Sequence, residues 1–158
     1  MIGDAAHSMT NHMAQGAATS MEDGAFLAKC ISAYVHGKLD DINAAVSIYE
    51  TERMPKAHFK QQVSFLQGAI WHLPDGPLQR ARDEAMAPEI EDGGRRYLVR
   101  SSNLYADPKT VLEVYGYDVE RHAEDAIEKY RNGGREVMHP ETKVTRPVHR
   151  STWWFAKL

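Results

Sequence analysis

The residues best suited to chemistry crowd into the first 27 positions. That stretch reads M-I-G-D-A-A-H-S-M-T-N-H-M-A-Q-G-A-A-T-S-M-E-D-G-A-F-L. Gly3 lets a backbone approach another group closely, and Asp4 offers a carboxylate that can accept from a hydroxyl. From Ala14 to Ala18 the positions are nearly all small, with Gln15-Gly16 at the opening of a helix and Ala17 just inside it. A helix start points unpaired N–H groups, carrying a partial positive charge, at whatever lies before it. Such an end stabilises a phosphate or an electron-rich ring oxygen. The plain alternative is a loop and a helix start with nothing bound.

These residues must be positioned by helices. The periodicity predicts a first helix from about Gln15 to Val35, with Met21, Ala25, Ala28 and Val35 on one face, widened by Leu27, Ile31 and Tyr34. Asp40 or Asp41 caps a second helix in which Ile42, Ala45, Val46 and Tyr49 share a face. Pro55 removes a backbone donor and should kink or end it. The pattern resumes with Phe59, Val63, Leu66 and Ile70. Pro77 opens a further, short helix. Asp107-Pro108 opens one reaching Tyr115, with Gly116 as its stop, and Asp118 caps a last helix with Val119, Ala123, Ile127 and Tyr130 inward. Breaker clusters at Pro74–Pro77, Asp92–Gly94, Asp107-Pro108 and Gly133-Gly134 separate these blocks. Strand candidates are confined to Tyr97–Arg100 and the stub before Gly3. The fold class read from the pattern is mainly α.

Composition narrows the function. The 158 residues carry a net charge of −3 with 26% charged and 42% hydrophobic residues, the balance of a soluble globular chain. No basic footprint for nucleic acid is present. No apolar run approaches the roughly 18 residues of a membrane span, and the N-terminus lacks the pattern of a secretory signal. The single cysteine, Cys30, excludes an internal disulfide framework and multi-cysteine zinc sites; mid-helix, it reads as a small buried apolar residue. A cytoplasmic setting is expected. The eight histidines show no metal-binding spacing, so no metal is expected. Glu22-Asp23 suit the positive end of a helix without a catalytic role. Trp153-Trp154-Phe155, beside Arg150 and Lys157, read as part of a flexible terminus.

The segment Gly3–Leu27 resembles the second flavin-binding motif of the FAD-dependent aromatic hydroxylases, the single-component flavoprotein monooxygenases. That motif runs G-D-A-A-H-x-x-x-P-x-x-G-Q-G-x-x-x-A-x-E-D-A-x-x-L. Later text, Y-E-T-E-R-M-P-K-A, G-A-I-W-H-L-P-D-G-P and S-S-N-L-Y-A-D-P-K-T-V-L-E-V-Y-G-Y-D, is similar to the fungal salicylate-hydroxylase-like branch, so the likeness covers about residues 1–130. The resemblance implies that Asp4 holds a ribityl hydroxyl of FAD and that Gly3 permits the turn before it. It implies that Ala14, Gln15, Gly16 and Ala17 lie against the flavin ring, and that Arg53 is structural. Asn11 stands where the family usually has proline, and Ala14 where it often has glycine. No G-x-G-x-x-G occurs anywhere.

The resemblance thus implies the C-terminal helical part of an α/β FAD-binding monooxygenase fold, begun at an internal methionine, with the Rossmann βαβ unit and most of the substrate sheet missing. Residues 1–72 would hold the flavin-facing motif, first helix and long kinked helix. Residues 73–139 would form a helical extension, and 140–158 a basic, aromatic tail. The implied function is a monooxygenase in which FAD, reduced by NAD(P)H, reacts with O2 and delivers one oxygen atom to a small aromatic substrate: a phenol, a salicylate-like acid or a polyketide-derived aromatic. The alternative is a non-catalytic helical remnant that buries an apolar face by self-association or by pairing with another chain.

Overall fold

The computed structural model describes residues 1–91 and 101–133. Among these the chain is helical and contains no strand. The short α1 (Asp4–His7) and a 3-10 turn (Asn11–Met13) lead into α2 (Gly16–Val35). Next come α3 (Ile42–Ile48), a π-helical turn (Tyr49–Arg53) and α4 (Met54–Trp71). Helices α5 (Pro77–Glu91), α6 (Pro108–Tyr115) and α7 (Val119–Arg131) complete the order. The stub before Gly3 is not a strand, since no described strand lies beside it to supply ladder hydrogen bonds. The Tyr97–Arg100 candidate, the Asp92–Gly94 break and the 140–158 tail lie outside the described residues.

Three aspartates act as the pattern requires. The Asp41 carboxylate, rather than that of Asp40, accepts from the Asn43 N–H at 3.1 Å. Asp107 accepts from Thr110 N–H at 3.0 Å, and Asp118 from Arg121 N–H at 3.1 Å. Each satisfies a donor that has no acceptor within its own helix. Pro55 does not end the helix: the preceding turn widens to π geometry over Tyr49–Arg53, and α4 continues from it. A proline ring crowds the carbonyl four residues back and offers it no N–H, and a wider turn relieves both conditions.

The apolar stripe read from the spacing is not the face that α2 buries. Its buried residues are Thr19, Asp23, Phe26, Cys30 and Ala33. Met21 and Val35 are 70% and 69% exposed, and Ala28, Ile31 and Tyr34 also face outward. Apolar periodicity selects the most hydrophobic stripe; the fold instead buries a stripe containing a carboxylate, because that carboxylate finds cations inside. What remains outside is Ala17, Met21, Gly24, Ala28, Ile31 and Val35, a continuous apolar row at alternating spacings of four and three. Ile42 and Val46 of α3 are likewise exposed while Ala44, Ala45, Ile48 and Tyr49 are buried.

Two apolar clusters result. In the larger, Phe26, Cys30 and Ala33 of α2 meet Ala45, Ile48 and Tyr49 of the α3 region and Ala123, Ala126 and Ile127 of α7. The predicted inner face of α7 is therefore the observed one, and it closes over α2. Burial pushes the Cys30 thiol up to about 12, so Cys30 serves as the apolar residue expected of it and not as a thiolate. The smaller cluster joins Met13, Val63, Leu104 and Val114, with Phe59 and Leu66 against it. It anchors the loop ahead of α2 to α4 and α6.

Candidate functional site

Site geometry begins at Gly3, which has φ +61° and ψ −147°. A left-handed φ strains any side chain, and a Cβ there would lie 3.1 Å from Ser20 Oγ. Two separate constraints thus hold this position to glycine. Its N–H donates to Asp23 Oδ2 at 2.9 Å. Asp4 follows as the first residue of α1, exposed, and among the described residues its carboxylate accepts no hydrogen bond. The Gly3 turn therefore aims a free acceptor outward from beside the first turns of α2.

The turn is fixed from beneath by a buried ion cluster. His7, Asp23 and Arg53 are each 0% exposed and Lys60 2%. His7 Nε2 donates to Asp23 Oδ2 at 2.5 Å, and Arg53 Nε to Asp23 Oδ1 at 2.9 Å. Arg53 Nη2 donates to Glu22 Oε2 at 2.8 Å and to the Thr19 carbonyl at 3.0 Å. Lys60 Nζ meets both Glu22 oxygens at 2.6 and 2.8 Å, and reaches Gln15 Oε1 at 3.3 Å. The Tyr117 ring covers both cations, with Arg53 Cζ 5.3 Å and Lys60 Nζ 5.5 Å from its centroid, near enough for each to feel the negative face of the ring. Arg53 and Lys60 thus answer the Asp23 and Glu22 carboxylates, with His7 as a third donor. Burial alone pushes the Asp23 carboxyl up, but the Gly3 N–H, His7 and the Arg53 guanidinium together bring it below its ordinary value. Burial draws the Lys60 ammonium down despite the Glu22 carboxylate beside it.

Glu22 and Asp23 thus anchor a buried cluster, a role beyond the favourable charge at a helix start expected of them. A usable signal existed. Once Phe26, Cys30 and Ala33 are taken as the buried row, Asp23 falls on that row and demands a buried cation, which the α4 region supplies as Arg53. The structural role expected of Arg53 is the observed one.

The second half of the site is the loop 8–15. Gln61 Nε2 donates to the Ser8 carbonyl at 2.7 Å, and Ser64 Oγ bonds both the carbonyl and the hydroxyl of Thr10. Gly68 leaves room for the His12 ring, with which any Cβ would collide. Met13 is fully buried. Ala14 then takes a left-handed conformation, φ 49° and ψ 32°, and Gln15 precedes α2 with no side-chain cap. The N–H groups of Gly16, Ala17 and Ala18 have no acceptor within the helix. Ala14 and Ala17 are exposed, while Gln15 is buried with its side chain turned inward to Lys60.

The six residues singled out from the sequence therefore divide. Asp4, Ala14 and Ala17 form the accessible surface, and the backbone at Gly16 opens the helix. Gly3 and the side chain of Gln15 work from within. Among the described residues no group of three histidine, cysteine or acidic side chains could hold a metal. No described helix is long and apolar enough to cross a membrane.

The family model described as an FAD binding domain matches residues 1–63. The FAD-dependent monooxygenase OpS4 of Beauveria bassiana is 34% identical over 131 residues, covering 80% of this chain and 28% of that protein. A 3-amino-4-hydroxybenzoate 2-monooxygenase of Streptomyces platensis is 40% identical over 94 residues, 58% of this chain and 23% of its own length. The salicylate hydroxylase of Pseudomonas putida is 30% identical over 90 residues, 57% and 20% of the two chains. The chain spans less than a third of the length of these curated relatives.

Proposed function

We propose, from the FAD binding domain model matched by residues 1–63 and the likeness to FAD-dependent monooxygenases, that Gly3–Ala18 form the ribityl- and ring-facing part of the flavin site of an aromatic hydroxylase. The observations that carry the proposal are the exposed Asp4 carboxylate, following a Gly3 turn that meets α2 at Ser20 and Asp23, and the uncapped start of the same helix. An acceptor for a hydroxyl and a row of N–H donors for a ring carbonyl form the donor set that part of FAD calls for. The small Ala14 and Ala17 let a planar ring come close, so the residues present fit the group. Bound FAD would supply the redox chemistry with NAD(P)H and O2.

The chain's own residues hold and orient. Asp4 would accept from a ribityl hydroxyl. The Gly16–Ala18 N–H groups would stabilise electron density on the pyrimidine edge of the ring. Gly3 and Ala14 supply the left-handed backbone that aims both. The substrate we infer is a small hydroxy-aromatic, such as a phenol, a salicylate-like acid or a polyketide-derived ring. Two of the relatives are named for salicylate and for 3-amino-4-hydroxybenzoate, both hydroxy-aromatic acids, and that supports the reading.

Flavin titration tests it. Two or three hydrogen bonds at roughly 0.5–1.5 kcal/mol each, or up to about 3 when charged, fall short of the roughly 4–15 kcal/mol lost on immobilising a ligand. The chain is therefore expected to bind FAD weakly, seen as saturable fluorescence quenching yet lost on a desalting column. Asp4→Ala should raise the dissociation constant about tenfold or more, the worth of one charged hydrogen bond, with helical content unchanged. An Asp4→Ala variant that titrates like the parent would overturn the role given to Asp4.

One observation favours a second reading, that of a helical interaction protein: the exposed apolar row Ala17–Val35 on α2. Extended apolar patches of this kind mark association surfaces, and the partner inferred is a second copy of this chain. Light scattering would then give a mass above 17.8 kDa that falls to the monomer in Met21→Lys. A parent chain that is monomeric at every concentration removes this reading.

A further inference from the structure

Tyr115, the last residue of α6, lies 52 positions beyond the end of the matched FAD binding domain, yet it reaches back to the loop ahead of α2. Its hydroxyl donates to the Met13 carbonyl at 3.2 Å. Met13 immediately precedes Ala14, the one described non-glycine residue with positive φ. An alanine disfavours that conformation by itself, so something outside the loop must hold it there. The ring of Tyr115 is in turn held. It stacks on Tyr105 at 6.5 Å, and Tyr105 stacks on Trp71 of α4 at 5.8 Å. On the inner side, Val114 is 1% exposed and packs with Met13 and Leu104. Turning the hydroxyl away would therefore break an aromatic row and lift a buried neighbour. Asn11 lacks the fixed φ of a proline, and the loop's stiffness must come from such tertiary ties.

We propose that Tyr115 is a positioning residue: its hydroxyl, borne on α6, fixes the Met13–Gln15 backbone in the conformation that presents the start of α2 to the flavin ring. The tether stands on the contacts above; its consequence for flavin rests on the proposed function. The C-terminal helices thereby act on the backbone ahead of α2, without touching the ligand.

The test compares Tyr115→Phe, which removes only the hydroxyl, with Leu112→Ala on the exposed side of the same helix. Amide hydrogen exchange of the full chain is read by residue. In Tyr115→Phe the Ala14 and Thr19 amides, which donate to the Asn11 and Gln15 carbonyls, should exchange roughly two- to tenfold faster, the worth of one net hydrogen bond. Those of α7 should stay as in the parent while the melting temperature falls by only a few degrees, and Leu112→Ala should leave the loop and α7 amides unchanged. The FAD dissociation constant should rise by a similar factor in Tyr115→Phe alone. Unchanged loop exchange, or a uniform acceleration over all helices, would overturn the tether. Faster loop exchange with unaltered FAD affinity would uphold the tether and overturn the flavin reading beneath it.

Discussion

Replacing Arg53 by methionine is expected to cost about 3–5 kcal/mol of folding stability, the usual loss when one partner of a buried ion pair is removed. Arg53 is fully buried and its guanidinium makes three bonds: to Asp23, to Glu22 and to the Thr19 carbonyl. Methionine matches its length but strands the Asp23 carboxylate, whose other partners are His7 and the Gly3 N–H. Lysine should not rescue the site, because one compact ammonium cannot span the fork of three acceptors. Against the roughly 5–15 kcal/mol total of an ordinary domain, this loss is large, and urea denaturation followed by circular dichroism would show it directly. The loss should also depend on pH. Asp23 titrates below its ordinary value of 3.8 in the folded chain, so its pairing contributes stability above that value, and the contribution fades as pH falls through the folded pKa. The gap between parent and variant should therefore be widest near neutrality and narrow below about pH 4. A deficit under about 1 kcal/mol, or one independent of pH down to acid, would mean the cluster does not stabilise the fold as the geometry requires.

Phe26→Ala should produce a deficit of similar size for a different reason. Phe26 is fully buried at the junction of three elements, with the rings of Tyr49 at 6.3 Å and His122 at 5.4 Å. Removing a buried phenyl ring costs about 3–5 kcal/mol through lost transfer energy and the cavity left behind. The surface pairs between α2 and α7, Lys29 with Glu120 and Glu124, are too exposed to compensate. The expected result is selective: α7 amides lose protection first, because α7 is held to α2 mainly through Phe26 and the small residues Ala123 and Ala126. Hydrogen exchange of Phe26→Ala would check this. Loss of protection spread evenly over all helices, or none, would contradict the assignment of Phe26 as the hinge of that packing.

Much of the secondary structure was legible in the residue order. The starts at Pro77 and Pro108, the caps at Asp41, Asp107 and Asp118, and the inner face of α7 follow from local rules about backbone donors and helical spacing. They hold because each is decided within one turn of the chain. The face of α2 was not legible in the same way. Two stripes compete there, and the more apolar one, with Met21, Ala28 and Val35, lies outside. Burying Asp23 instead is favourable only with Arg53 and His7 in place, 30 and 16 residues away, and no local window contains that information. Pro55 is a similar case: its effect on the backbone is predictable, but the choice between a break and a π turn depends on what the continued helix packs against.

The candidate site shows the same division. The run from Gly3 to Gly16 was sufficient to mark a glycine turn, an exposed carboxylate and a helix start, because these are properties of residue types at short spacing. Tertiary structure alone decided that Asp23 bonds the Gly3 amide, that Lys60 turns the Gln15 side chain inward, and that Tyr115 ties down the Met13 carbonyl. Those contacts join residues 20, 45 and 102 positions apart. The reason is physical. A hydrogen bond between distant residues forms only after packing has brought them together, so its partner is chosen by the arrangement of helices and not by any feature of the neighbouring chain.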